Sequence, residues 1–352
     1  MSAEIDWDDL EDLAKQATQS GESPGAIADA AWEQLRQALE TLRQAEDWSG
    51  ILRLRKLFTG LLARDSAWGI PVVKKLDDIA IEAARHLDNT VELGHLLGAR
   101  GHNLHRQGFH EESIAAFAES AVNYRECEDD FGALKSTFMM SLCYRALNNR
   151  QEARQILEDV LRQVEPDDPW RGNPLQVLAW LTQDEGDLPG TERLLREVLA
   201  LHEQAEDADI LIAGTLADLA EVVGLQGRVA EATEFFGRSL AILQQYQGQY
   251  DRQEARSKLK YAELLMRQKQ YDEALQLLDD SDDKASSYGH YYDLMWRIEL
   301  TRALIFARKG RWREAILKGQ MVLRYRRILG LSNWLLARQL WQRLRAGTGL
   351  PR

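Results

Sequence analysis

The chain has 352 residues, 45% of them hydrophobic and 28% charged, with 7 prolines, 2 cysteines and a formal net charge of −12. Apolar residues recur throughout, which argues against disorder, and no apolar run reaches the roughly 18 residues that a membrane-spanning helix needs. Cys127 and Cys143 alone make no disulfide framework and no four-cysteine metal site. The acidic start of the chain has neither the basic nor the apolar region of a signal peptide, so the expected compartment is a reducing cytoplasm.

In chain order, residues 1–90 are helical in pattern but hold no common register. Pro24 after Ser23 suits the first turn of a helix, where a missing N–H costs nothing. Leu35, Leu39 and Leu42 recur at three- and four-residue spacing, the stripe of an amphipathic helix. Ala38, Gly50 and Leu54 hint at one degenerate helix pair, and residues 72–87 read as a further long helix. Beyond residue 90 the same periodicity continues, as at Leu194, Leu195, Val198 and Leu199, and Pro189 two residues after Asp187 repeats the helix-start signal. Leu335, Leu336, Leu340, Trp341 and Leu344 give residues 335–352 the pattern of a last helix that covers the end of the array. Strand-like alternation is not found, so the fold class expected is all-α. The acidic runs at 126–130, 165–169 and 279–283 lack the glycine and terminal glutamate spacing of a calcium loop and read as polar turns between helices.

Residues 91–334 are also self-similar. Small residues Gly101, Ser141, Ala179, Ala220, Ala262 and Ala303 open six motifs. Twelve residues after each stand Ser113, Ala153, Thr191, Ala232, Ala274 and Ala315, so both series step by 40, 38, 41, 42 and 41. Four residues further come Phe117, Leu157, Leu195, Phe236 and Leu278, with Gly319 in the sixth unit. Between the two small positions stand Gly108, Asn148, Gly186, Gly227, Lys269 and Gly310, at a place that suits a left-handed turn. Two antiparallel helices approach closely only where a small side chain admits the neighbour. A single pair cannot bury its apolar face, and stacked pairs share one continuous core.

These motifs resemble the tetratricopeptide repeat, in its longer-period form found in kinesin light chains and bacterial regulatory proteins. Departures from the pattern are His110, Arg150, Leu188 and Val229 where the repeat carries an aromatic, which Tyr271 and Trp312 supply in the last two units. The resemblance implies a right-handed α-solenoid with three parts: an N-terminal helical element at 1–90, six repeats at 91–334 and a capping helix at 335–352. It also implies that the first helix of each pair lines a concave groove. Carried over position by position, the groove would present His95, His102, His105 and Arg106, then Lys135, Phe138, Leu142 and Arg145, then Asn173, Gln176, Trp180 and Gln183. Asp218, Glu221, Arg256, Lys260, Glu263 and Arg267 follow, then Arg297, Thr301 and Arg308. Trp180 is the sharpest of these, as either a binding anchor or a tryptophan of the core between repeats. The carboxylate clamp of chaperone-binding relatives is missing, because Gly98, His102, Met139, Asn173 and Val177 occupy its places.

Charge is polarised along the chain: −7 over residues 1–90, −12 over 91–210, −5 over 211–283 and +12 over 284–352. Arg308, Arg311, Arg313, Arg324, Arg326 and Arg327 alternate with aromatics in a way that suits an anionic partner, nucleic acid included, or a solvated helical face. Self-association of the basic end with the acidic middle is a third reading.

Catalytic signatures are missing: there is no glycine-rich phosphate loop, nucleophile elbow or His-Glu-x-x-His. His95, His102, His105 and His110 cluster in sequence, but their spacing matches no zinc pattern, and both cysteines read as structural thiols. No metal and no cofactor is therefore assigned. The function expected is a non-catalytic scaffold or adaptor that holds a protein or peptide partner, regulatory in a multiprotein system, with a nucleic-acid-associated subunit as the alternative.

Overall fold

The computed structural model describes residues 5–19, 29–58, 71–246, 249–287 and 292–328. Among them are sixteen α-helices, one short 3-10 turn at Pro169–Arg171 and no strand. The chain divides into two compact units, residues 1–156 and 157–352.

The first unit contains α1 (Trp7–Gln19), α2 (Asp29–Gln44), α3 (Trp48–Leu57), α4 (Pro71–His86), α5 (Thr90–Gln107), α6 (His110–Glu126) and α7 (Asp130–Ala146). It ends within α8 (Arg150–Gln163). Leu35, Leu39 and Leu42 of α2, Ile51 and Leu54 of α3, and Leu76 and Ala80 of α4 share one apolar cluster with Leu93, Leu96 and Leu97 of α5. The N-terminal helices thus continue directly into the core of the first repeat. Between α3 and α4, Arg55 Nε donates to Asp77 Oδ1 at 2.5 Å, with both side chains buried.

The second unit contains α9 (Gly172–Glu185), α10 (Leu188–Glu203), α11 (Asp209–Leu225), α12 (Val229–Gln244), α13 (Asp251–Arg267), α14 (Tyr271–Ser287), α15 (Tyr292–Arg308) and α16 (Trp312–Ile328). Neighbours in sequence pack as hairpins, and first helices also touch across repeats, α11 with α13 and α13 with α15.

The turn chemistry follows the sequence motif residue by residue. Gly108, Asn148, Gly186, Gly227, Lys269 and Gly310 all have positive φ, from 62° at Asn148 to 90° at Gly186. In each turn the next residue donates its N–H to a carbonyl five residues back, as Phe109 does to Leu104 and Gln270 to Leu265. That bond closes a Schellman motif and occupies a carbonyl the helix end would otherwise leave unpaired. Asp47, Asn89, Asp129 and Asp187 then cap the following helices by accepting a backbone N–H three residues on. Pro189 lies in the first turn of α10, as its position after Asp187 predicts.

The small positions do what the motif requires. Ser141, Ala179, Ala220, Ala262, Ser113, Ala153, Thr191, Ala232 and Ala274 are fully buried. A Cβ at Gly101 would lie only 2.8 Å from the Phe117 ring, so glycine there admits the phenylalanine. Ala303 and Ala315 of the sixth unit are half-buried. A further device recurs that the motif does not contain. Ser120, Ser239 and Ser281 are buried on second helices, and each donates to a first-helix carbonyl 26 residues earlier, Gly94, Ala213 and Ala255, at 2.7–2.8 Å.

One expected turn is corrected. Residues 279–283 lie within the continuous helix α14, where Ser281 faces the core and Asp279 and Asp282 reach Arg302 of α15. The acids that suggested a loop are held in helix by a buried cation on the neighbouring repeat. The runs at 126–130 and 165–169 do contain turns, with Asp129 and Asp168 as caps. Pro24 and the capping helix at 335–352 fall outside the described residues.

Candidate functional site

In the second unit, four consecutive first helices place polar side chains on one face. Gln176 and Trp180 are one turn apart on α9, Asp218 and Glu221 one turn apart on α11, and Arg256, Lys260, Glu263 and Arg267 follow at helical spacing on α13. Asp218 is the hub. Its Oδ2 accepts from Gln176 Nε2 at 3.0 Å and from Trp180 Nε1 at 2.8 Å, and its Oδ1 accepts from Arg256 at 3.2 Å and Lys260 Nζ at 2.5 Å. Lys260 also pairs with Glu221 at 2.6 Å, and Arg297 of α15 extends the ladder to Glu263 at 3.5 Å. The Arg256 guanidinium lies 5.4 Å from the centre of the Trp180 ring.

The electrostatics explain why the cluster is stable although Asp218 and Lys260 are only 3% and 6% exposed. Burial by itself raises the pKa of Asp218, but Lys260 and Arg256 outweigh it and hold the group at about 2. Glu221 is also held at about 2, because Lys260 overcomes the desolvation that would raise it. Both carboxylates are ionised across the physiological range. A buried charge is tolerated only when paired and fully hydrogen-bonded, and Asp218 meets that condition through four donors.

Of the residues expected to line a groove, Gln176, Trp180, Arg256 and Lys260 are brought together, around an aspartate between them. Trp180 is half-buried, with its indole N–H turned to Asp218. Lys260, expected on the surface, is buried beneath it by its two carboxylate partners. Gln183 and Arg267 are half-buried at the ends of α9 and α13. Asn173 is turned away to the backbone, donating to the Trp170 carbonyl at 3.2 Å.

In the first unit the described residues expected to line the groove have other surroundings. Lys135 is exposed, its ammonium 4.2 Å from the centre of the Phe131 ring. His102 meets the Phe117 ring edge-on, and Phe138, Leu142 and Arg145 are half-buried on α7. His105 contacts Cys143, whose Sγ is 3.4 Å from its Nδ1. The Arg106 side chain lies outside the described residues.

At the basic end, much of the charge is answered within the chain. Arg302 is buried against Glu299, Asp279 and Asp282, Lys318 pairs with Glu299, Lys309 with Asp272 and Arg311 with Glu314. Arg308 is half-buried, and Arg313 and Arg324 are exposed. The side chains of Arg326 and Arg327 are outside the described residues. Sequence reading missed the Arg302 cluster, since its acids were assigned to a turn. The Asp218 hub carried a usable signal: its partners stand 38 and 42 residues away, one repeat period.

Stacked helix pairs joined through small residues and Schellman turns define the class, an all-α repeat protein of the α-solenoid type. Residues 211–281 match the tetratricopeptide repeat model. Aspartyl phosphate phosphatase F from Bacillus subtilis shares the fold at a TM-score of 0.61 and 12% identity, over 93% of this chain and 96% of that one. A Rap protein complexed with Competence and Sporulation Factor gives 0.57 at 13% identity, covering 91% and 97%. NprR in complex with its cognate peptide NprX gives 0.56 at 14%, covering 96% and 97%. At such identities the likeness is one of fold. Among curated proteins none matches the sequence. No helix among the described residues is long and apolar enough to cross a membrane.

Proposed function

We propose that the chain is a non-catalytic interaction scaffold of the cytoplasm, an adaptor or regulatory subunit whose first-helix face takes a peptide, helix or protein domain. One observation carries this reading: Gln176, Trp180 and Arg256, from alternate first helices, are fixed on one face by the single carboxylate of Asp218. An indole and a guanidinium already held in place lose little conformational freedom when a partner covers them, and these are the side chains that most often anchor interfaces. The cognate peptide named for the NprR structure supports a peptide as the kind of occupant. In this reading residues 91–334 are the repeats, the binding face is the one built around Asp218 in the second unit, and 1–90 and 335–352 are an N-terminal element and a cap.

Photo-crosslinking tests it. A photoreactive residue at Gln183 or Arg267, which continue the Trp180 and Lys260 rows, is expected to capture a protein or peptide from native lysate. The same probe at Glu197, exposed on the second helix α10, is the control. Equal capture from all three positions would remove the face from consideration, and nuclease-sensitive products alone would favour the nucleic-acid reading.

A further inference from the structure

The first unit brings together three metal-binding side chains, two of them neighbours in sequence and the third more than thirty residues further on. His105 comes from the last turn of α5, His110 opens α6, and Cys143 comes from α7. One donor atom from each lies within 4.8 Å of the other two. Cys143 is fully buried while both histidines are half-buried, so the cluster has a closed sulfur side and a side reachable from solvent. We propose that His105, His110 and Cys143 form a zinc-class metal site with one coordination position left open.

Three observations support it. Tetrahedral zinc, with bonds of about 2.0–2.1 Å to nitrogen and about 2.3 Å to sulfur, places its ligand atoms roughly 3.3–3.7 Å apart. Cys143 Sγ and His105 Nδ1 already stand at 3.4 Å. The remaining closure is about an ångström at the widest, within reach of a side-chain adjustment. Second, His110 Nδ1 is buried with no hydrogen-bond partner among the described residues. A buried polar atom left unpaired is rare enough to require an explanation, and an imidazole fixed by a metal through its ring is one. Third, the donor set is chemically consistent: two imidazoles and one thiolate suit a borderline-soft divalent ion and not a hard one such as magnesium or calcium. Ser113 Oγ stands 3.2 Å from Cys143 Sγ and gives its one proton to the Gly101 carbonyl at 2.7 Å, so in the metal-free chain it accepts from the thiol.

Binding would replace the thiol S–H bond with an S–metal bond and release the proton to solvent, with no change of oxidation state. It would also add a metal link among α5, α6 and α7, which Ser120 already joins by hydrogen bonds to Gly94 and Ser136. The three residues carry no role in the proposed binding face of the second unit, so the two proposals stand or fall separately.

The test uses the full chain, reduced and freed of metal, titrated with Co²⁺ and then with Zn²⁺. One Co²⁺ per chain is expected, with a thiolate-to-cobalt charge-transfer band that Zn²⁺ abolishes. Cys143→Ala should remove the band, and His110→Gln should weaken binding at least about tenfold. Cys127→Ala should change neither. Circular dichroism and thermal melting without metal check that each variant is folded. X-ray absorption at the zinc edge of the wild-type chain needs no variant and should show one sulfur with nitrogen neighbours. A shell of nitrogen and oxygen only, or a charge-transfer band that survives Cys143→Ala, would overturn the site and leave Cys143 as a hydrogen-bonded core thiol.

Discussion

Trp180 donates its indole N–H to Asp218, 38 residues further along the chain and one repeat away. That bond joins α9 to α11, and the same carboxylate is joined to α13 by Arg256 and Lys260. Removing Asp218 therefore leaves the buried Lys260 ammonium with Glu221 alone and unties three repeats together. Asp218→Ala should destabilise the protein by about 3–5 kcal/mol, the usual consequence of breaking one side of a buried pair. Trp180→Phe, which removes one donor and keeps the ring, should cost far less. Urea denaturation of the two variants checks the order; comparable losses would show that Asp218 is not the hub.

The same group sets an acid limit. Folded Asp218 and Glu221 titrate near 2, and unfolded carboxylates near 4, so the unfolded chain takes up protons first as the pH falls. Their contribution is complete above about pH 4 and is lost as the pH drops from about 4 towards 2. Melting temperature measured across that window should fall steeply. In Asp218→Asn the fall should be shallower, because one of the two titrations is gone, and an unchanged slope would contradict the assignment.

Close approach of α5 and α6 depends on a missing methyl group. Gly101→Ala would place a Cβ 2.8 Å from the Phe117 ring in the core, and overpacking of this kind costs about 1–3 kcal/mol. Gly237→Ala, on an exposed stretch of α12 where a Cβ meets nothing within 4 Å, should instead stabilise by about 0.5–1 kcal/mol. Opposite signs in chemical denaturation are the expected result.

Turn equivalence between repeats can be tested by exchange. Lys269 adopts φ 65° where Gly227 stands at 88° in the preceding unit. A side chain in the left-handed region costs roughly 1–2 kcal/mol, so Lys269→Gly should gain stability and Gly227→Lys should lose a similar amount. Both should retain the helical circular dichroism signal. Failure of either sign would mean that the two turns are held differently.

Residues 279–283 show where local reading stops. Five consecutive polar residues with four aspartates favour a turn by composition alone. Their helical state is decided by Arg302 of the next helix and by Ser281 reaching the Ala255 carbonyl. The histidine and cysteine cluster was hidden in the same way. His105 and His110 are neighbours in sequence, but Cys143 joins them only because α7 packs beside α5.

Helix periodicity, the two small positions, the turn residue with positive φ and the repeat period are properties of short segments. They were legible because the energies behind them, steric exclusion at φ and close helix contact, act within about a dozen residues. Which charges are buried, which aspartate gathers an indole, a guanidinium and an ammonium, and which thiol meets which imidazole depend on how helices rotate against partners some 40 residues away. Those choices are made by desolvation and pairing across repeats, and only the packed tertiary structure decides them.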